Sequence, residues 1–208
     1  LHVPAVALEA TRRSLQATAA ELLAALRDHL DPEAGATDDA RLALIRRALQ
    51  ESQEFFARIP PIAADQAVSG LRVALLHGLD HMVRLLGYAQ PPPNVRQAFT
   101  HTRLAPAVTR CREVLHLSAE GLRGKGNGAW LADVEQRTKE LTRLHRVERP
   151  ALFRQTADGE WLALDALDAL DAMRWLTSIA HHAWRAGYYL AREGEPQWDL
   201  GQPSGPDY

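Results

Sequence analysis

Apolar side chains recur every three or four residues along almost the whole of this 208-residue chain, a spacing that places them on one face of a helix. Six such apolar stripes can be traced. The first five run over Leu8 to Leu26, Leu42 to Ile59, Val68 to Leu86, Leu104 to Leu122 and Trp130 to Leu144, and the sixth begins near Leu162. Runs that alternate apolar and polar residues, as strands do, are absent at useful length. The sequence therefore predicts an all-α protein, a bundle of six helices.

Helix-breaking residues separate the stripes. They are Asp31-Pro32, Pro60-Pro61, Pro91-Pro92-Pro93, Gly124 to Gly128, and Arg149-Pro150 together with Asp158-Gly159. The triple proline is the strongest break, and it divides the six helices three and three. We predict a first three-helix unit over residues 1–90, a second over 95–193, and a flexible tail over 194–208, which is rich in Gly and Pro.

The two predicted units end in the same short pattern. Helix three closes with His81 to Tyr88 and helix six with His182 to Tyr189, and both segments read H-x-x-R-x-x-x-Y. Pro4 to Val6 matches Pro106 to Val108 after a shift of one residue. The matches predict an internal repeat. The alternative is chance similarity, because Ala and Leu are abundant and each match is short.

Charge and cysteine content narrow the class of protein. The chain has 24 Lys and Arg against 26 Asp and Glu, a net charge of -2. The overall electrostatic potential of the molecule therefore gives no reason to expect nucleic acid as a partner. The single Cys111 cannot form an intramolecular disulfide, which favours a reducing compartment. Cys111 also lies on an apolar stripe and is interpreted as a core residue. No nucleophile is left for covalent catalysis, and we predict that the chain is not an enzyme.

The most apolar long stretch, Leu71 to Ala89, carries Arg72, Asp80 and Arg84, so we expect it not to span a bilayer. The chain opens at Leu1 without a Met. We interpret this opening as the mark of a piece cut from a longer protein, with a trimmed N-terminus as the alternative.

Histidines provide the candidate metal ligands. His77 and His81 lie four residues apart on predicted helix three and share a face, a spacing that presents two imidazoles to one metal. A divalent or iron metal would need further ligands. Asp80 could supply one, and His181 and His182 could supply others if helices three and six pack together. The alternative is a surface pair or a hydrogen-bonded pair of histidines without metal.

Arg84 and Arg185 occupy matching positions of the two repeats. Guanidinium groups bind phosphate or carboxylate in a bidentate manner, although both arginines could also pair with neighbouring acids. With His81 and His182 they form the predicted contact surface for an anion or a partner.

Three other patterns are interpreted as structural. Glu113 to His116 matches the Glu-x-x-His unit of di-iron bundles, but it occurs once and that site needs two copies. Gly124 to Gly128 lacks a preceding strand and a Gly-Lys-Ser/Thr sequence, so a turn between helices is predicted in place of a phosphate loop. The Asp165, Asp168 and Asp171 series is interpreted as a solvated helix face, with divalent-cation binding as the alternative.

Two three-helix units, each with an Arg-centred motif at the end of its third helix, resemble PhoU, the phosphate-signalling adaptor. A narrower resemblance is to the PhoU-like cytoplasmic C-terminal domain of bacterial sodium/phosphate cotransporters. It is carried by Leu76 to Arg84 in the first half, and by Arg143 to Arg146, Leu152 to Gln155, Asp171 to Leu176 and His182 to Arg185 in the second. The resemblance covers nearly the whole chain, to about Arg192.

The resemblance implies a regulatory domain at the cytoplasmic face of the membrane, which modulates phosphate transport through contacts with the transmembrane part of the same transporter. A homodimer is left open. PhoU proteins also carry metal-binding acids immediately before, and three residues after, the motif arginine. Val83 and Gly87 stand there in the first repeat and Trp184 and Tyr188 in the second, so a PhoU-type metal cluster is not expected. Two alternatives remain, a free-standing PhoU-type adaptor and a His-ligated metal-binding protein.

Overall fold

A computed structural model describes residues 3–31, 39–60, 66–126 and 129–191 of the chain. All regular structure in these ranges is helical, which confirms the predicted all-α class. The α-helices are α1 (Val3–His29), α2 (Asp39–Arg58), α3 (Gln66–Gly87), α4 (Pro93–Ala98), α5 (Ala105–Leu122), α6 (Trp130–Ala157) and α7 (Ala163–Ala191), and Thr102–Leu104 forms a 3-10 turn before α5. The tail predicted over 194–208 lies outside the described residues.

The predicted apolar stripes form the core. Leu15, Leu22 and Leu26 of α1 are completely buried, and Cys111 and Leu115 of α5 are equally inaccessible to solvent. α1 packs against α2, α3, α5 and α7, because its apolar face is broad enough to contact several helices at once. Most of the buried apolar side chains described in residues 1–90 and 95–193 belong to one continuous hydrophobic cluster.

The six long helices correspond to the six stripes, and the short α4 was not predicted. It begins at the last residue of the triple proline, because proline is tolerated in the first turn of a helix, where its missing N–H has no intrahelical partner. Val95 of α4 is buried and anchors this connection against α7. The triple proline therefore lies between α3, which ends at Gly87, and α4, whose first residue is Pro93.

The expectation that Arg149-Pro150 helps to separate helices five and six is wrong. α6 continues through Pro150 and ends at Ala157. Pro150 lies on the exposed side of the helix, where water can solvate the backbone carbonyl that its ring leaves unpaired. The break falls at Asp158-Gly159, where Gly159 adopts φ +77°, a conformation that favours glycine.

The turn predicted over Gly124 to Gly128 is confirmed at Gly124, which has φ +73° immediately after the C-cap residue of α5, while Asn127 and Gly128 lie outside the described residues. Gly121, one turn earlier, has a different role. A Cβ atom there would overlap the indole ring of Trp130, and one at Gly187 would lie 3.0 Å from the same ring. Glycine on α5 and α7 thus makes room for the tryptophan that opens α6. Across the described ranges, no helix is both long and apolar enough to cross a membrane.

Candidate functional site

Helices α3 and α7 pack side by side in opposite directions and bring the two H-x-x-R motifs together. The ring of His77 near the middle of α3 stacks on Tyr189 near the end of α7, with centroids 4.8 Å apart. At the other end of the contact, the rings of Tyr88 and Trp175 meet edge to face. Gly78 permits the close approach, because a Cβ at that position would lie 2.8 Å from a methyl carbon of Leu190. We call this contact the α3–α7 seam.

His81 and His182 face each other at the centre of the seam. Their Nδ1 atoms are 3.0 Å apart, which is a hydrogen-bond distance. One Nδ1 must donate and the other accept, so the accepting ring has to be neutral and carry its proton on Nε2. Burial, followed by the nearby charges of His182 and Arg185, lowers the pKa of His81 to about 3. Burial and His181 lower the pKa of His182 to about 4.

His181 completes a group of three imidazoles. Its ring lies edge-on to His182 at 5.5 Å and to His81 at 6.3 Å between centroids, and it also contacts Trp184. Burial lowers the pKa of His181, and the positive charge of Arg185 lowers it further. At neutral pH the cluster is therefore a set of uncharged rings beside a permanent cation.

Arg185 is that cation, and aromatic rings surround it. Its guanidinium carbon lies 5.4, 5.7 and 5.1 Å from the ring centroids of Trp184, Tyr188 and Tyr189. It also donates a 2.9 Å hydrogen bond to the Tyr189 hydroxyl. No carboxylate of the described residues pairs with Arg185, so π faces and a hydroxyl stabilise its charge.

Arg84 has a different environment although it occupies the matching position in α3. It is exposed and donates to the Asp80 carboxylate at 2.9 Å, one turn earlier on the same helix. The two arginines are therefore not equivalent, since Arg84 is part of an exposed ion pair and Arg185 is held in an aromatic pocket.

The proposed metal ligands come together only in part. His81, His181 and His182 are neighbours, but His77 stacks on Tyr189 and Asp80 pairs with Arg84. Within the part of the chain that the structure describes, no group of three or more His, Cys, Asp or Glu side chains is arranged to hold a metal ion. The geometry of His81 and His182 is that of a hydrogen-bonded pair.

The other patterns do not converge on this seam. Glu113 pairs with Arg110 and Arg137, whereas His116 lies next to Arg27. In the aspartate series, Asp168 accepts a hydrogen bond from the Asn94 side chain and Asp171 pairs with Arg174. Cys111 is buried, its thiol lies 3.6 Å from the Leu176 carbonyl oxygen, and burial raises its pKa.

Sequence reasoning missed the aromatic residues of the seam. Tyr189 stacks on His81, Tyr88 contacts His182, and Trp175 contacts Tyr88. None of these three residues was proposed as a site residue. Two of them are the final tyrosine of the H-x-x-R-x-x-x-Y pattern. That repeated tyrosine was the signal that could have placed aromatic rings beside the motif histidines.

The chain was compared with known protein families, curated proteins and solved structures, and none of them matches it. The fold and the seam define an all-helical protein whose candidate site is a histidine cluster beside an arginine in an aromatic pocket.

Proposed function

We propose that this chain is a PhoU-like cytoplasmic regulatory domain of a sodium-dependent phosphate transporter, which modulates transport and catalyses no reaction itself. The observation that carries the proposal is the contact between His81 and His182. These residues occupy the same place in the two H-x-x-R-x-x-x-Y segments, are 101 positions apart in sequence, and have Nδ1 atoms 3.0 Å apart. The motif that carries the family resemblance thus forms the centre of the candidate site.

The helix order supports a two-repeat architecture. An offset of about 101 residues sets α1 on α5, α2 on α6 and α3 on α7. α1 packs on α5 and α3 packs on α7, while α2 and α6 pack on α1 and α5 respectively. Two similar units related by an approximate two-fold axis would bring matching helices together in this way. The unpredicted α4 then belongs to the connection between the repeats.

The α3–α7 seam offers a means of regulation that requires no catalysed reaction. Arg84 and Asp80 are exposed and available to a partner. Asp80 directly precedes His81 on α3, and Arg84 lies about one turn after it. A partner that engages Arg84 would withdraw it from Asp80 and change the charge that surrounds His81 and His182. We propose that the transmembrane part of the transporter is this partner, in keeping with the resemblance.

The test uses the gene in its native reading frame, including whatever precedes Leu1. Labelled phosphate uptake would be measured in cells that carry the wild-type gene, the Arg84→Ala variant, or the matched Arg47→Ala variant. Arg47 forms an exposed pair with Glu51 one turn along α2, away from the seam. We expect Arg84→Ala to change the uptake rate or its response to internal phosphate, and Arg47→Ala to leave both unchanged.

Membrane fractionation of the same cells separates the alternatives. A membrane-bound product whose sodium-dependent uptake changes with Arg84→Ala supports the proposal. A soluble product that co-purifies with a phosphate importer would replace the proposal with the free-standing adaptor. Uptake that is insensitive to Arg84→Ala, Arg185→Ala and removal of residues 3–191 would contradict a role in phosphate transport.

A further inference from the structure

The second half of α6 presents an exposed row of arginines. Arg143, Arg146, Arg149 and Arg154 are all exposed, and none has a carboxylate partner among the residues that the structure describes. Successive residues of a helix are 100° apart, so Arg143, Arg146 and Arg154 lie within about 80° of one another on the outward side. They extend over about 16 Å of helix. We call this side of α6, from residue 143 to 154, the arginine face.

Most of the described arginines in this bundle pair with a carboxylate. Arg12, Arg47 and Arg123 are examples of the common situation, in which a guanidinium lies within 3 Å of a Glu oxygen. The first half of α6 follows the same rule, since Lys139 pairs with Glu135 one turn before it. The arginine face thus departs from the pattern of its own helix.

The groups next to the arginine face leave its charge uncompensated. Glu148 is the one acid of α6 in this stretch, and it is directed toward Arg103 at 2.7 Å on the opposite side. On α7, Arg174 pairs with Asp171. His145 is half-buried between the two helices, and burial together with the charges of Arg174 and Arg149 lowers its pKa. The acids Asp158 and Glu160 follow only after the helix has ended.

Apolar side chains lie among the arginines. Val147 is 58% exposed and Phe153 is 50% exposed, and both lie on the outward side of α6 with Pro150 between them. The Arg149 guanidinium covers one side of the Phe153 ring at 5.7 Å. Further exposed leucines follow in the chain, Leu162 just before α7 and Leu164 and Leu167 in its first turns.

We propose that the arginine face binds the surface of a bilayer that contains anionic phospholipid. The surface of a bilayer consists of a layer of phosphate headgroups above the ends of the acyl chains. The arginines of this helix face can bind the headgroup phosphates, while Val147 and Phe153 insert at the acyl boundary. A polyanion such as nucleic acid would use the arginines but leave Val147 and Phe153 in water. The mixture of side chains therefore favours a membrane over a soluble polyanion.

The proposal is independent of phosphate transport, because it rests on α6 and does not involve the α3–α7 seam. It is tested with the 208-residue chain and sedimenting vesicles. One set contains equal parts of phosphatidylglycerol and phosphatidylcholine, and the other contains phosphatidylcholine alone. We expect the chain to sediment with the first set, to remain in solution with the second, and to be released by added salt.

Charge is tested by the triple variant Arg143→Gln, Arg146→Gln, Arg154→Gln. Each basic residue near an anionic surface contributes about a five-fold gain in binding, so we expect the triple variant to bind about a hundred-fold more weakly. The control is Arg13→Gln, Arg46→Gln, Arg47→Gln, which removes the same charge from exposed positions of α1 and α2. Equal losses in both variants would mean attraction by overall charge only and would overturn the proposal. Helical circular dichroism verifies that each variant is folded.

The apolar contribution is tested at constant charge with Val147→Ser, Phe153→Ser. We expect this variant to bind the anionic vesicles several-fold more weakly, because the apolar side chains no longer enter the acyl boundary. Binding as strong as wild type, or equal competition by a soluble oligonucleotide, would identify the arginine face as a polyanion site and overturn the membrane proposal. Phosphate uptake is not read in these experiments, so a failure here leaves the proposed regulatory role intact.

Discussion

The Nδ1 atoms of His81 and His182 are 3.0 Å apart across the α3–α7 seam, and both histidines have a strongly lowered pKa. Burial is the main cause for each, and the cations Arg84 and Arg185 add to it. Asp80 acts in the opposite direction on both but does not compensate. The folded state favours the neutral form of both rings, and the hydrogen bond is lost once both are protonated, because neither Nδ1 can then accept; protonation and folding are therefore coupled at this point.

The folded protein should lose stability in mild acid. In the unfolded chain the histidines bind protons below their ordinary pKa of about 6.5, whereas in the folded state they do so only near pH 4 and below. Stability from the neutral pair is therefore complete above pH 6.5 and declines as the pH falls toward 4. Solvent screening at the partly exposed His182 reduces its share, and the loss at pH 5 is on the order of 2 kcal/mol for the pair. Urea unfolding at pH 7 and pH 5, followed by helical circular dichroism, measures it.

Gln variants identify the histidines responsible. His81→Gln, His182→Gln should lower the free energy of unfolding at pH 7 but reduce its dependence on pH. His116→Gln is the control, because His116 is exposed beside Arg27 and away from the seam. An acid dependence that is the same in the double variant and the wild type would contradict the assignment.

Gly121→Ala should destabilise the bundle. The added methyl group would overlap the Trp130 ring, which is also enclosed by Gly126 and Gly187 and cannot move away freely. Overpacking of this kind costs about 1–3 kcal/mol. Gly87→Ala is the matched control, since nothing lies within 4 Å of its Cβ position and Ala is the better helix former. Thermal unfolding should show a lower Tm for Gly121→Ala and an equal or higher Tm for Gly87→Ala.

The helices could be predicted from the sequence because their apolar faces are broad and regularly spaced. Leu15, Leu49, Leu75 and Leu141 were placed on stripes by periodicity, and all are buried. The error at Pro150 has a physical reason. Proline is unfavourable within a helix, but it is tolerated on an exposed face of a helix that tertiary packing holds on its other side.

The site was predicted less completely. The repeated motif identified His81 and His182, and the structure shows that helices three and six of the prediction do pack together, as α3 and α7. The repeat placed Arg84 and Arg185 at matching positions but carried no information about the different environments in which they lie. Their environments differ because Trp184 and Tyr188 flank Arg185 where Val83 and Gly87 flank Arg84. A motif match does not specify the side chains around it.

The difference between the two arginines is measurable. Arg185→Ala removes a hydrogen bond to Tyr189 and the contact with three aromatic rings, for an expected loss of about 1–2 kcal/mol of stability. Arg84→Ala removes one exposed ion pair, and the loss should be below about 0.5 kcal/mol. Urea unfolding of both variants gives the two values. The aromatic pocket would be refuted by an Arg84→Ala loss that equals or exceeds that of Arg185→Ala.

Cys111 provides a probe of the whole bundle because it is the single cysteine of the chain and is completely buried in α5. Burial raises the pKa of its thiol, and the thiolate is the reactive form, so two effects protect it. We expect a disulfide reagent to modify the folded chain at least about a thousand-fold more slowly than the chain in urea, since reaction requires the core to open. Cys111→Ser should abolish the reaction. Rapid modification in native buffer would show that α5 is not the packed centre of the fold.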